Sequence, residues 1–181
     1  LTGTALLDKN RALIDSLNVF PVPDGDTGSN MFMTMQSAAR EIRDCKSEKV
    51  ADIAAAASLG SLKGARGNSG VILSQIFRGF AKALAGKDEM DAAAFSLALT
   101  MGTEAAYKAV MKPKEGTMLT VARMMAEAVA AAGAEGANVF KLIDVMLESG
   151  EEALKRTPEL LPVLKEAGVV DSGGKGLLTI L

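Results

Sequence analysis

The stretch Asn18-Val19-Phe20-Pro21-Val22-Pro23-Asp24-Gly25-Asp26-Thr27-Gly28-Ser29-Asn30 lies between two helical patterns and decides how the rest of the chain is read. Val19 to Pro23 alternates like a strand, but its two prolines remove ladder donors and force extended backbone, so the segment is a stiff approach to Asp24. Asp24 and Asp26 flank Gly25, which admits positive φ, and such a turn aims both carboxylates at one point. A hard cation suits that point, because Mg²⁺ takes carboxylate oxygens and keeps positions open for water and phosphate. Thr27-Gly28-Ser29-Asn30 reads as the start of a helix, whose first N–H groups lack intrahelical acceptors and carry the positive end of the dipole. A carboxylate pair followed by a helix N-terminus is a metal–nucleotide pattern; taken alone, the same residues also describe an ordinary loop and N-cap.

Spacing excludes two other devices. An EF-hand beginning at Asp24 needs an oxygen ligand where Gly28 stands and Glu where Met35 stands. A Walker A loop needs Gly-Lys-Ser/Thr, which the chain lacks.

Working outward, the apolar residues Leu6, Leu7, Leu13, Ile14 and Leu17 predict a first helix from Thr4, with Thr4 as its N-cap, to Leu17. A second, from Ser29 to Asp44, places Met31, Met35, Ala38, Ala39 and Ile42 on one face. An Ala-rich helix over 50–62 ends at Gly64-Ala65-Arg66-Gly67-Asn68-Ser69-Gly70, where Asn68, Ser69 and Gly70 again offer a helix N-terminus to an anion. A long helix over 90–111 follows, then a polar loop at Lys112–Thr120 in which Thr117 caps a helix reaching Ala132. Asn138 caps a helix through Arg156, Thr157-Pro158 begins another, and Ala167–Gly176 is a fourth Gly-rich turn. About eight helical patterns and no alternating strand pair predict an all-α fold. An antiparallel bundle gathers loops at one end, so the four Gly-rich turns line a single site.

Composition narrows the chemistry. A chain of 181 residues fits one domain, and 49% apolar content with only 4% aromatics implies closely packed helices filled by Ala, Leu and the ten Met. A net charge of −2 with scattered Lys and Arg argues against a nucleic-acid partner. Cys45 stands alone, which removes intrachain disulfides and Cys-based zinc sites and fits a reducing cytoplasm. With no His, any chemistry rests on carboxylates, backbone amides, Lys, Arg and a metal. No apolar run is long enough for a membrane span. The opening at Leu1 without Met and the apolar ending Gly176–Leu181 predict a piece of a longer protein.

Asn18–Met31 and Lys63-Gly-Ala-Arg-Gly-Asn-Ser-Gly-Val-Ile-Leu-Ser-Gln75 together resemble the ATP-binding domain shared by dihydroxyacetone kinases and bacterial fatty acid kinases, and look most like the fatty acid branch. The resemblance covers nearly the whole chain. It implies an eight-helix barrel that binds ATP or ADP, with Mg²⁺ ions, two in number, bridging the phosphates. By similarity Asp24 and Asp26 are metal ligands and catalytic, Thr27, Gly28, Ser29, Asn30, Asn68, Ser69 and Gly70 meet phosphate, and Thr117, Met118, Asp171, Ser172 and Gly173 wall the nucleoside pocket, with Thr157 close by. Dihydroxyacetone kinase domains carry a third aspartate where this chain has Val19, which leaves Asn18 as the nearest oxygen for a third ligand. The implied reaction is γ-phosphoryl transfer to a fatty carboxylate delivered by a separate fatty-acid-binding protein, with further domains completing the kinase. A dihydroxyacetone-type subunit, a nucleotide-binding regulatory module without transfer and a lipid-binding module are the rivals. Arg66 is a further candidate for steadying transferred charge, against the plainer reading of a solvated surface residue.

Overall fold

A computed structural model describes residues 1–181 and contains helices and connecting turns but no strand. The helices are α1 (Thr2–Ser16), α2 (Thr27–Asp44), α3 (Val50–Gly64), α4 (Gly67–Ala83), α5 (Ala92–Ala109), α6 (Met118–Ala134), α7 (Val139–Leu160), α8 (Pro162–Ala167) and α9 (Ser172–Ile180). Neighbours in sequence pack side by side from α1 to α7, and α9 returns to lie against α1, α2, α6 and α7, closing the ring. The all-α expectation holds, with nine helices. No helix is long and apolar enough to cross a membrane.

A main core fills the ring, and a smaller cluster of Ala83, Leu84, Ala94 and Ala98 joins α4 to α5. Leu7 and Ile14 of α1, Met31 and Met35 of α2, Leu73 of α4, Phe95 of α5, and Met118, Val121, Met125 and Val129 of α6 meet Leu142, Met146 and Leu154 of α7 and Leu177 of α9. The residues from α2 and α6 are spaced by three or four, as an amphipathic stripe requires. Small residues set the spacing between helices. A Cβ at Gly79 of α4 would collide with the Met101 carbonyl of α5, so these two backbones touch only because the side chain is absent.

Three expectations are corrected by the packing. Thr4 does not cap α1, which begins at Thr2 with Leu1 in the N-cap position; the Thr4 hydroxyl is buried without a partner. No helix begins at Thr157-Pro158, because α7 continues through Pro158 to Leu160. Proline removes the N–H that would have bonded the Leu154 carbonyl, and the Thr157 hydroxyl donates to that same carbonyl at 2.7 Å. The stretch after Asp171 is not a turn but helix α9, whose glycines permit close approach: a Cβ at Gly174 would lie 2.8 Å from Val121 of α6, and one at Gly176 would overlap the Met31 sulfur.

Candidate functional site

Helices α1 to α7 alternate in direction and α8 is a short link, so α2, α4, α6 and α9 all start at the same end of the ring, where α1 and α5 finish. Their first residues surround one open cleft of about 520 Å³. Thr27 and Asn30 come from α2, Gly67, Asn68 and Ser69 from α4, Thr117 and Met118 from the head of α6, and Asp171, Ser172 and Gly173 from the head of α9. Asn18, Asp24 and Asp26 line it from the α1–α2 loop, and Val110, Lys112 and Lys114 from the α5–α6 connection. Four helix N-termini thus turn their positive dipole ends toward one space, an arrangement that attracts anions.

The aspartate loop is built by Asn18. Its buried side-chain oxygen accepts the Thr27 hydroxyl at 2.8 Å and the Asp26 N–H at 3.3 Å, while its amide donates to the Val22 carbonyl at 2.9 Å. Both lone pairs of that oxygen are engaged, so Asn18 orders the loop and has no lone pair left for a third metal bond. The Ser172 hydroxyl donates to the Thr27 hydroxyl at 3.2 Å, joining the heads of α9 and α2 through the same chain. The Asp24 and Asp26 carboxylates, by contrast, enter none of the chain's ion pairs. Asp24 is exposed and Asp26 half-buried. Two carboxylate oxygens facing an open, anion-attracting cleft match the donor chemistry of Mg²⁺, which completes its shell with water and phosphate. No cluster of three or more His, Cys, Asp or Glu side chains stands ready to hold a metal unaided.

Asp171 has the opposite surroundings. It is 5% exposed, its carboxylate accepts the Gly174 N–H at 2.7 Å, and the N–H groups of Gly173 and Met118 also point to it, so one side chain caps both α9 and α6. Burial pushes its carboxyl up to about 6, against the lowering effect of those three N–H donors. Its own N–H donates to the Thr157 hydroxyl at 3.1 Å. Thr157, fully buried beneath the cleft, supports Asp171 and does not line the space.

Three other sequence candidates also lie behind the cleft wall. Gly28 packs on α1, where a Cβ would be 3.0 Å from Ile14 and closer still to the Arg11 carbonyl. Ser29 is held by Asp15, whose carboxylate accepts the Ser29 N–H at 3.0 Å and hydroxyl at 2.8 Å. Gly70 is buried under the Thr34 hydroxyl, so a side chain there disturbs packing before it reaches any ligand. Arg66 is exposed and outside the cleft. Asp15 and Glu115 were missed by sequence reasoning. Asp15 carried no signal, being one acidic residue near the end of a helix, and its role depends on α1 meeting the first turn of α2. Lys112 and Lys114 lay within a loop already singled out, but nothing in the sequence turned them inward.

The fold and cleft define an all-helical ring domain with an anion-attracting end. The chain belongs to the DAK2 domain family, whose model matches residues 21–181. It is similar to Protein YloV of Bacillus subtilis, 52% identical over 99% of this chain, and to an uncharacterized protein of Staphylococcus saprophyticus, 49% identical over 99%. The chain spans about a third of the length of these relatives, 32% and 33%. Among solved structures it shares its fold with the dihydroxyacetone kinase from C. freundii in complex with AMP-PNP and Mg²⁺, at a TM-score of 0.69 and 22% identity over 99% of this chain and 31% of that one. The native form of the same kinase gives 0.67 and 21%, again over 99% of this chain, and 32% of that one.

Proposed function

We propose that the domain binds Mg²⁺–ATP in the cleft and passes the γ-phosphoryl group to a fatty acid carboxylate presented by a separate fatty-acid-binding protein. The meeting of four helix N-termini with two carboxylates outside any ion pair carries the nucleotide half of this reading. The AMP-PNP and Mg²⁺ of the structurally similar kinase support it. Asp24 and Asp26 hold the metal, Thr27, Asn30, Asn68 and Ser69 meet phosphate, and Thr117, Met118, Asp171, Ser172 and Gly173 wall the nucleoside. When bound, Mg²⁺ draws charge from the phosphate oxygens.

In the transfer itself a carboxylate oxygen of the acceptor forms a bond to the γ-phosphorus as the bond to the β,γ-bridging oxygen breaks. ADP leaves with that electron pair. A fatty acid is already ionised at neutral pH, so no proton must be removed, in keeping with a cleft that has no His. The motifs at 18–31 and 63–75 favour the fatty acid acceptor. A dihydroxyacetone-type acceptor is the second reading, favoured by the shared fold. The remaining two thirds of a relative-length protein would supply further domains, and the lone Cys45 supports a cytoplasmic setting.

Calorimetric titration with ATP, with and without Mg²⁺, tests the nucleotide half; binding is expected only when the metal is present. Following ADP release with oleate alone, oleate loaded on a fatty-acid-binding protein, and dihydroxyacetone tests the acceptor. We expect release only with the loaded protein, because the cleft is open and needs a partner surface to exclude water around the γ-phosphate. Rapid release with free oleate would refute the partner requirement, and release with dihydroxyacetone would transfer the assignment to the second reading.

A further inference from the structure

Lys112 and Lys114 are the only cationic side chains lining the cleft, against the carboxylates Asp24, Asp26 and Asp171. Both are exposed, and neither takes part in an ion pair. They stand on either side of Pro113 in the connection between α5 and α6, and both line the same cleft.

The stretch that carries them is anchored from behind. The Glu115 carboxylate accepts Arg123 at 2.8 Å, the Thr120 hydroxyl at 2.8 Å and the Tyr107 hydroxyl at 3.2 Å, which ties the loop to α5 and α6. The Gly116 N–H donates to the Thr120 hydroxyl at 2.8 Å, and the Thr117 hydroxyl to the Lys114 carbonyl at 2.9 Å. Gly116 has φ +80° and lies so near Leu161 and the Thr157 carbonyl that a Cβ would come within 2.8 Å of both, so the loop is also set against α7.

Charge balance then assigns the lysines a ligand. With two Mg²⁺ bound, Asp24 and Asp26 would leave a charge of about +2 against about −4 on a triphosphate, so the rest of the phosphate charge falls to helix N-termini and to cations on another wall. We infer that Lys112 and Lys114 are contacts for the polyphosphate of the bound nucleotide, forming a cationic wall separate from the metal-binding loop. This rests on the nucleotide reading above.

The test is calorimetry of the domain with Mg²⁺–ATP and with adenosine, comparing the wild type with Lys112→Ala/Lys114→Ala. The double variant should bind Mg²⁺–ATP about tenfold more weakly or worse, with the loss shrinking as salt is raised, and adenosine within about twofold of wild type. Lys112→Arg/Lys114→Arg should restore most of the ATP affinity, which separates charge from loop structure, and melting curves should coincide because both side chains are exposed. Equal weakening of ATP and adenosine, or no weakening of either, overturns the inference while leaving the nucleotide reading intact. A wild-type domain that binds no Mg²⁺–ATP overturns both.

Discussion

Asp24 and Asp26 on the α1–α2 loop and Asp171 at the head of α9 line the same cleft in opposite circumstances. The loop pair stands at a solvent-facing turn and forms no ion pair with the chain. Asp171 is buried, receives three backbone N–H groups and closes the starts of two helices. One residue type therefore serves two purposes at one site, and burial separates them. A carboxylate with its lone pairs committed to helix caps holds the wall, whereas a pair left open to water keeps its lone pairs for a cation. Asn18 belongs with Asp171 in this division, since its oxygen is spent on the loop.

The sharpest way to break the comparison is to remove each kind of carboxylate in turn. Asp24→Ala and Asp26→Ala should each lower phosphoryl transfer by about 10²–10³, as loss of a charge-stabilising group at a reacting centre does. Their stability should change by less than about 0.5 kcal/mol, because the loop lies outside the core. Parallel urea melts and ADP-release assays check both halves, and a large loss of stability in either variant would place the pair with Asp171. Asp171→Ala should behave conversely, costing about 2–5 kcal/mol in a urea melt by leaving the N–H groups of Met118, Gly173 and Gly174 without their acceptor.

Protonation sharpens the contrast further. Burial raises the Asp171 carboxyl from 3.8 to about 6, so between those values the folded chain binds more protons than the unfolded chain. Its contribution to stability is therefore fully present below about pH 4 and falls as pH rises toward 6. A displacement from 3.8 to about 6 corresponds to roughly 3 kcal/mol. The stability of wild type relative to Asp171→Asn should decline by about that amount between pH 4 and pH 7, measured by urea melts across the range. An unchanged difference at both ends would show that Asp171 does not titrate in the fold.

The smallest effect expected is at Thr157, which supports Asp171 without touching the cleft. Thr157→Val removes the acceptor of the Asp171 N–H and the donor to the Leu154 carbonyl, and should cost about 1–3 kcal/mol in a urea melt. Nucleotide affinity per folded molecule should change little, which calorimetry on the purified variant can check.

The sequence by itself determined the helical class, most helix ranges and the loops that matter, because those are local properties. Amphipathic spacing identified the buried face of α2, Asn138 was legible as the cap of α7, and the prolines around Val22 marked a stiff approach to Asp24. Only the tertiary structure decided which residues of each loop face the cleft. Gly28, Ser29 and Gly70 occupy motif positions that look alike in sequence, yet they turn toward α1, Asp15 and Thr34, since a helix's first turn has one side toward the cleft and another toward its neighbour. The glycines after Asp171 read as a turn because glycine is flexible in isolation. In the folded chain they form α9, because Val121 and Met31 leave no room for larger side chains where that helix closes the ring.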